Sequence, residues 1–210
     1  MHFVQSYVAD GSTGMKILDI KKYGPVYRFT DANLYWTLYY LSKNKTIGRR
    51  SLALHVGIGE GSMRNILNIL KEWHFVETFN RGIRISQDGA LFLSTIPLEV
   101  VDLKLSGYPE LQNQAQCSVV VLQASSKIQD GLRQRDVCIR SGANGGITIV
   151  MKNDCLLIPP DHLLAQDNPE FVETISSSSK MNDGDVLIIS FAEELHSAAN
   201  GAIMAALDLI

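Results

Sequence analysis

The stretch HVGIGEGSMRNILNILKEWHFVE, residues 55–77, sets glycines at 57, 59 and 61 directly before a run with strong helical periodicity. Met63, Ile66, Leu67 and Leu70 fall on one face of that run, and Gly61, Arg64, Asn65, Asn68 and Lys71 fall on the other. Immediately afterwards Phe75–Thr78 and Ile83–Ser86 alternate as short strands, and Asn80-Arg81-Gly82 supplies the residues of a tight turn. Strands that return on each other within a few residues pair antiparallel, because the crossover of a parallel pair needs a dozen residues or more. A helix between a glycine corner and a hairpin is the constraint that the rest of the chain must satisfy.

Upstream, Thr30 or Asp31 is placed to cap a helix whose apolar residues Leu34, Leu38 and Leu41 recur at helical spacing. A second helix is predicted from Gly48 or Arg49 to His55, with Leu52 and Val56 turned inward, and another follows the hairpin over Gln87–Thr95. The order helix, helix, helix, hairpin, helix is that of a winged helix-turn-helix. Tyr35, Trp36, Tyr39 and Tyr40 exceed what a small three-helix core requires; core packing is the commonest use of such a stripe, but a surplus face could also bury itself against a second subunit, and a homodimer is expected.

Two chemistries compete for the glycine corner. As a dinucleotide site, Gly57-x-Gly59 would follow the apolar stretch LALHV, and Glu77 would stand where a ribose-binding acid belongs. Ser62 occupies the third glycine position, Gly48-Arg49-Arg50 is a poor start for a buried central strand, and the hairpin replaces the crossover helix. A P-loop is excluded because no Lys-Ser/Thr follows the glycines. As a DNA-reading corner, Gly57 closes the second helix in the left-handed conformation, Ile58 plugs the core, and Gly59 and Gly61 start the third helix close to a phosphate backbone. The candidate contacts to double-stranded DNA are then Arg49, Arg50, Gly61, Ser62, Arg64, Asn65, Asn68, Arg81 and Arg84. Arginine can bond guanine through two donors and asparagine can do the same to adenine, whereas wing arginines suit phosphates. Arginines at helical spacing also form plain solvated faces, winged helices also serve as protein-interaction modules, and Glu60 would repel a phosphate unless it accepts from a cytosine amino group.

Length and composition support two modules. The 210 residues are 46% hydrophobic and 20% charged, which is globular. Residues 1–100 hold 12 Lys and Arg against 8 Asp and Glu, whereas residues 101–210 hold 7 against 14, so the mildly basic half carries the glycine corner. The boundary is expected in TIPLEVVDLKLSGYPELQNQ, where Pro97 ends a helical pattern and Gly107-Tyr108-Pro109 interrupts an extended one. The expected organisation is an N-terminal arm over 1–30, the winged helix over 31–97 and a C-terminal domain over 98–210 for ligand sensing or assembly. Cys117, Cys138 and Cys155 lack metal-ligand spacing and read as free thiols of a reducing compartment. No stretch is long and apolar enough for a membrane span, and MHFVQSYVADGSTG lacks a secretory pattern, so a cytoplasmic location is expected.

The second module reads as a small α/β sandwich, which makes the whole chain α+β. CSVVVLQA at 117–124, Ile147–Met151, Cys155–Ile158 and DVLIISF at 185–191 are strand-like, and helices are predicted at Arg135–Ser141, Pro169–Ser176 and Glu193–Leu209. Arg133, Arg135 and Asp136, leading through a helix to Asn144 in a glycine-rich turn, could hold a phosphate or carboxylate effector. Glu193 marks the other candidate, where a strand hands over to a helix. The plain alternatives are a structural Arg135–Asp136 ion pair and a carboxylate that favours a helix N-terminus. No nucleophile, acid–base or metal constellation is legible, so neither catalysis nor a cofactor is expected.

The combination IGEGSMRNIL…RGIRIS, then SGYP, LRQRD…GANGGITIV…IPP and NDGDVLIISFAEE, resembles an uncharacterised archaeal family that pairs an N-terminal winged helix with a C-terminal domain of unknown function. The resemblance runs from about residue 45 to the C-terminus and leaves KKYGPVYRF outside. It implies a transcription regulator and carries no substrate or catalytic residue. The sequence thus points to a DNA-binding regulator whose helix at 60–72 enters the major groove. The rival reading is a nucleotide- or metabolite-handling enzyme centred on the second module, with the winged helix as an interaction device.

Overall fold

The computed structural model describes residues 28–103 and 113–210. The first 27 residues of the expected arm and the Gly107-Tyr108-Pro109 break lie outside the described residues. The chain divides into two compact units between Pro97 and Leu98.

The first unit begins with α1 (Asp31–Lys43), whose N-terminus is closed reciprocally: Thr30 Oγ1 accepts from the Asn33 N–H and Asn33 Oδ1 accepts from the Thr30 N–H. α1 is buried nearly all round, with Leu34, Leu38 and Leu41 fully enclosed, and it supplies the centre of the unit. α2 (Arg49–Val56) ends at Gly57, whose φ of 71° is the left-handed cap, and the Ile58 N–H reaches back to the Ala53 carbonyl. α3 (Glu60–Glu72) buries Met63, Ile66 and Leu70 and half-buries Leu67. Each fully enclosed side chain of this kind contributes roughly 1.5–3 kcal/mol by leaving water, so the stripe is sufficient to seat the helix.

The hairpin pairs β1 (Val76–Phe79) with β2 (Gly82–Ile85) through a two-residue Asn80-Arg81 turn, and α4 (Gln87–Thr95) follows, capped by Ser86. Both strands are shifted by one residue from the sequence expectation, because Gly82 belongs to the strand rather than to the turn. Its φ is +134°, and a Cβ there would stand 2.7 Å from the Ile47 carbonyl oxygen. That clearance lets Ile47 exchange both backbone hydrogen bonds with Ile83, at 3.0 and 2.9 Å, as a short third strand of the wing.

The four aromatic residues of α1 divide into a buried pair, Tyr35 and Trp36, and a half-buried pair, Tyr39 and Tyr40. Tyr35 and Trp36 are 2% and 6% exposed, Tyr39 stacks on Trp36 at 5.0 Å, and Tyr40 stacks on His55 of α2 at 4.8 Å. Tyr40, through His55, fastens α1 to α2.

The second unit is a six-stranded sheet in the order β3-β4-β8-β5-β6-β7, with every neighbouring pair antiparallel. Its strands are β3 (Leu98–Val101), β4 (Ala115–Val121), β5 (Gly145–Lys152), β6 (Cys155–Ile158), β7 (His162–Leu163) and β8 (Val186–Ala192). Helices α5 (Leu132–Arg140) and α8 (Leu195–Leu207) cover one face, and α6 (Leu164–Asp167) with α7 (Pro169–Ser178) cover the other. Leu187 and Ile189 of β8 pack with Phe171 and Ile175 of α7, while a Cβ at Gly201 of α8 would meet Ser190 Oγ at 2.6 Å. Coverage of both faces explains why the run at 186–192 shows no alternation, a pattern more usual in parallel sheets.

Element bounds differ from expectation where loops are knitted by tertiary bonds. β4 ends at Val121 rather than 124 because Gln123, at φ 53°, turns back toward the start of β8. α5 starts three residues early, at Leu132. α8 starts at Leu195, since β8 runs on to Ala192 and Glu193–Glu194 form the bend.

Candidate nucleic-acid interface

α3 presents Gly61, Arg64, Asn65 and Asn68 to solvent, with Ser62 half-buried at their edge. No hydrogen bond or ion pair among the described residues engages Arg64, Asn65 or Asn68. Gly59 and Gly61 have ordinary backbone conformations, and a Cβ on either would meet nothing within 4 Å. Neither packing nor strain therefore asks for glycine at 61, although glycine inside a helix costs roughly 0.5–1 kcal/mol relative to alanine. Open space there admits a close approach from outside. Gly59 is the N-cap and makes no side-chain cap bond, so the first N–H groups of α3 are not satisfied by a cap.

The other arginines are differently committed. Arg49 Nη2 lies 3.7 Å from Glu60 Oε2, and Arg50 Nε lies 3.8 Å from Glu60 Oε1. On the wing, Arg84 grips Glu77 through Nη2 at 2.6 Å and Nε at 2.8 Å and lies 4.4 Å from the Phe79 ring centre. Arg81, in the turn, is exposed and has no such partner among the described residues. A groove of about 560 Å³ beside the wing is lined by Thr46, Thr78, Phe79, Asn80, Arg81 and Arg84. Phe79 is not among the residues that the sequence singles out, and Glu77 stands there only as a possible ribose-binding acid, not as the partner of Arg84. Their signal was the hairpin register, which sets Glu77 opposite Arg84 and Phe79 opposite Gly82.

The five candidate effector residues of the second unit are not gathered into one site. Arg133 holds Asp208 of the α8 C-cap through Nε at 2.6 Å and Nη2 at 2.9 Å. Arg135 pairs with its neighbour Asp136 at 3.1 Å, and Asn144 donates to Gln114 at 2.9 Å. Gly131, two residues before Arg133, packs on Thr148 midway along β5, whereas Asn144 precedes β5 and the exposed Glu193 follows β8 at the same end of that strand pair, where the Asn144 N–H donates to the Phe191 carbonyl. Thr148 stands four residue steps from Asn144 along the strand, roughly 13 Å. A separate cleft of about 320 Å³ lies at the end of the sheet away from Asn144, between Ser125, Gln129, Lys152, Asn153, Pro159 and Asp183.

The site and the fold define a winged helix-turn-helix protein with a mixed antiparallel second domain, and the comparisons with known proteins agree. Residues 32–98 match the family described as the CggR N-terminal DNA binding domain, and residues 112–209 match the domain of unknown function DUF4443. The chain thus pairs a winged helix of a DNA-binding type with a domain of unknown function. A solved structure of a hypothetical protein from Pyrococcus horikoshii OT3 is similar over 87% of this chain and 93% of its own, at 22% identity and a TM-score of 0.70, which is a likeness of fold. No curated protein matches the chain. Among the described residues no helix is long and apolar enough to cross a membrane.

Proposed function

We propose that the protein is a DNA-binding transcription regulator that lays α3 in the major groove of a duplex. The observation that carries this reading is the exposed, unpartnered row Arg64, Asn65 and Asn68 beside a glycine with open space around it. Arg64 then reads guanine, and Asn65 and Asn68 read adenine, through paired hydrogen bonds. Arg81 contacts a phosphate from the wing, and Arg49, Arg50 and Arg84 add to the backbone contacts once drawn from their carboxylate partners. Gly61 and Ser62 let a backbone phosphate come close to the start of the helix.

The C-terminal unit, in this reading, senses a small-molecule effector or drives assembly rather than performing catalysis. A homodimer would double the contacts to DNA. A cytoplasmic location and the archaeal kinship implied by the sequence motifs belong to the same proposal.

The test is duplex binding by the full chain as salt is raised. Affinity should fall steeply and linearly in logarithmic coordinates, with a slope set by the number of phosphates contacted. An affinity for duplex DNA that does not change with salt, or no binding at low salt, would remove the reading.

A further inference from the structure

We propose that Glu60 is the selectivity residue of the α3 surface: its carboxylate opposes binding to arbitrary duplex and accepts from the exocyclic amino group of cytosine at a preferred site. The assignment rests on α3 facing DNA.

Glu60 is the first residue of α3, and the i, i+4 spacing sets it on the same side of the helix as Arg64. Its oxygens turn instead toward α2, 3.7 Å from Arg49 and 3.8 Å from Arg50. These separations are beyond hydrogen-bond range, and the three side chains are 42%, 85% and 52% exposed in the order Arg49, Arg50, Glu60. Exposed ion pairs of this geometry add little to folding. The consequence of the carboxylate therefore falls on whatever approaches α2 and α3 from solvent.

For a phosphate, that consequence is unfavourable twice over. The anion must draw Arg49 and Arg50 away from Glu60, and it then meets the negative charge of Glu60 itself. The start of α3, with uncapped N–H groups and the positive end of its dipole, otherwise attracts an anion, so Glu60 offsets a surface that would bind DNA without discrimination. Base edges respond differently. Cytosine offers its N4 amino group as a donor in the major groove, whereas guanine O6 and N7 and thymine O4 are acceptors that repel a carboxylate. Adenine places acceptor N7 beside its amino group, which disfavours the second carboxylate oxygen. One side chain thus lowers affinity for generic sequence and restores it at cytosine.

The full-length chain and its Glu60→Gln variant are to be titrated with a random-sequence duplex across a salt series, and each used to select from a randomised duplex pool. Glu60→Gln should bind the random duplex about 5- to 30-fold more tightly at low salt, with a salt slope steeper by about 1–2 as arginines engage phosphates. Its selected site should lose a cytosine preference that the wild type displays. Adding Arg49→Gln and Arg50→Gln to Glu60→Gln should abolish most of the gain, which a merely steric effect of residue 60 would not do. If the wild type binds duplex and Glu60→Gln matches it in affinity, slope and base preference, the Glu60 assignment is overturned and the DNA reading stands. If the wild type binds no duplex, both fall together.

Discussion

Asp185 accepts hydrogen bonds from the backbone N–H of Gln123, 62 residues earlier in the chain, at 3.0 Å through Oδ1, and from the Asn182 N–H at 2.8 Å through Oδ2. The carboxylate is 1% exposed and fixes the loop after β4 against the start of β8. The Asp-Gly-Asp element noted in the sequence is therefore a structural knot: Asp183 accepts from the Asn153 N–H of the β5–β6 turn, and Gly184, at φ 93°, bonds Met151 and Ser125 through its backbone. Asp185→Ala should cost about 1–3 kcal/mol, since two part-buried backbone amides lose their acceptor. Urea denaturation of the full chain measures it, and a loss below about 1 kcal/mol would mean that water replaces the carboxylate.

Gly82 is needed for contact rather than for the turn. Gly82→Ala forces a Cβ against the Ile47 carbonyl at a φ of +134°, and backbone cannot swing aside as a flexible side chain would. The expected cost is at least about 1 kcal/mol, with loss of the Ile47–Ile83 bridge. Hydrogen exchange should accelerate at the Ile47 and Ile83 amides while the amides of α3 keep their protection.

The arginines should separate by role. Arg64→Ala should relax preference at one base pair by about 1–3 kcal/mol, whereas Arg81→Ala should weaken binding to all sequences and lower the salt slope by about 1. Arg84→Ala should change affinity less than Arg81→Ala, because the Arg84 guanidinium already lies on Glu77 and Phe79. Equal effects of Arg81→Ala and Arg84→Ala in anisotropy titrations would contradict that ranking.

The three thiols should divide by burial. Cys155 is exposed and should react with a thiol reagent in the native protein, whereas Cys117 and Cys138 should react only on unfolding. Burial, reinforced by the neighbouring Cys138, pushes the Cys117 thiol up from 9.0 to about 12, and burial pushes Cys138 up to about 11. Because both folded values are raised, the stabilisation they represent is complete below pH 9 and is lost progressively as the pH climbs toward them. The slope is up to about 1.4 kcal/mol per pH unit for each thiol. Denaturation midpoints measured from pH 8 to pH 11 should fall with pH, and less so in Cys138→Ala.

The winged helix was legible in sequence because its determinants are local. The Met63, Ile66 and Leu70 stripe, the Gly57 cap and the Asn80-Arg81 turn each act within one or two turns of chain, where periodicity and backbone preference decide the outcome. The outward row Arg64, Asn65 and Asn68 follows from the same geometry, since a helix with one face in the core must turn the other to solvent. The pairing of Arg133 with Asp208, the splitting of Asn144 and Glu193 from Arg133, and the approach of Glu60 to Arg49 and Arg50 join residues that no local rule connects. So does strand order: β8 lies between β4 and β5, although it follows them by more than thirty residues, because hydrophobic burial on both faces fixes which strand is central and registers it through long-range hydrogen bonds. Composition and spacing decided which surfaces could carry charge; the folded chain decided which of those charges are left for a partner.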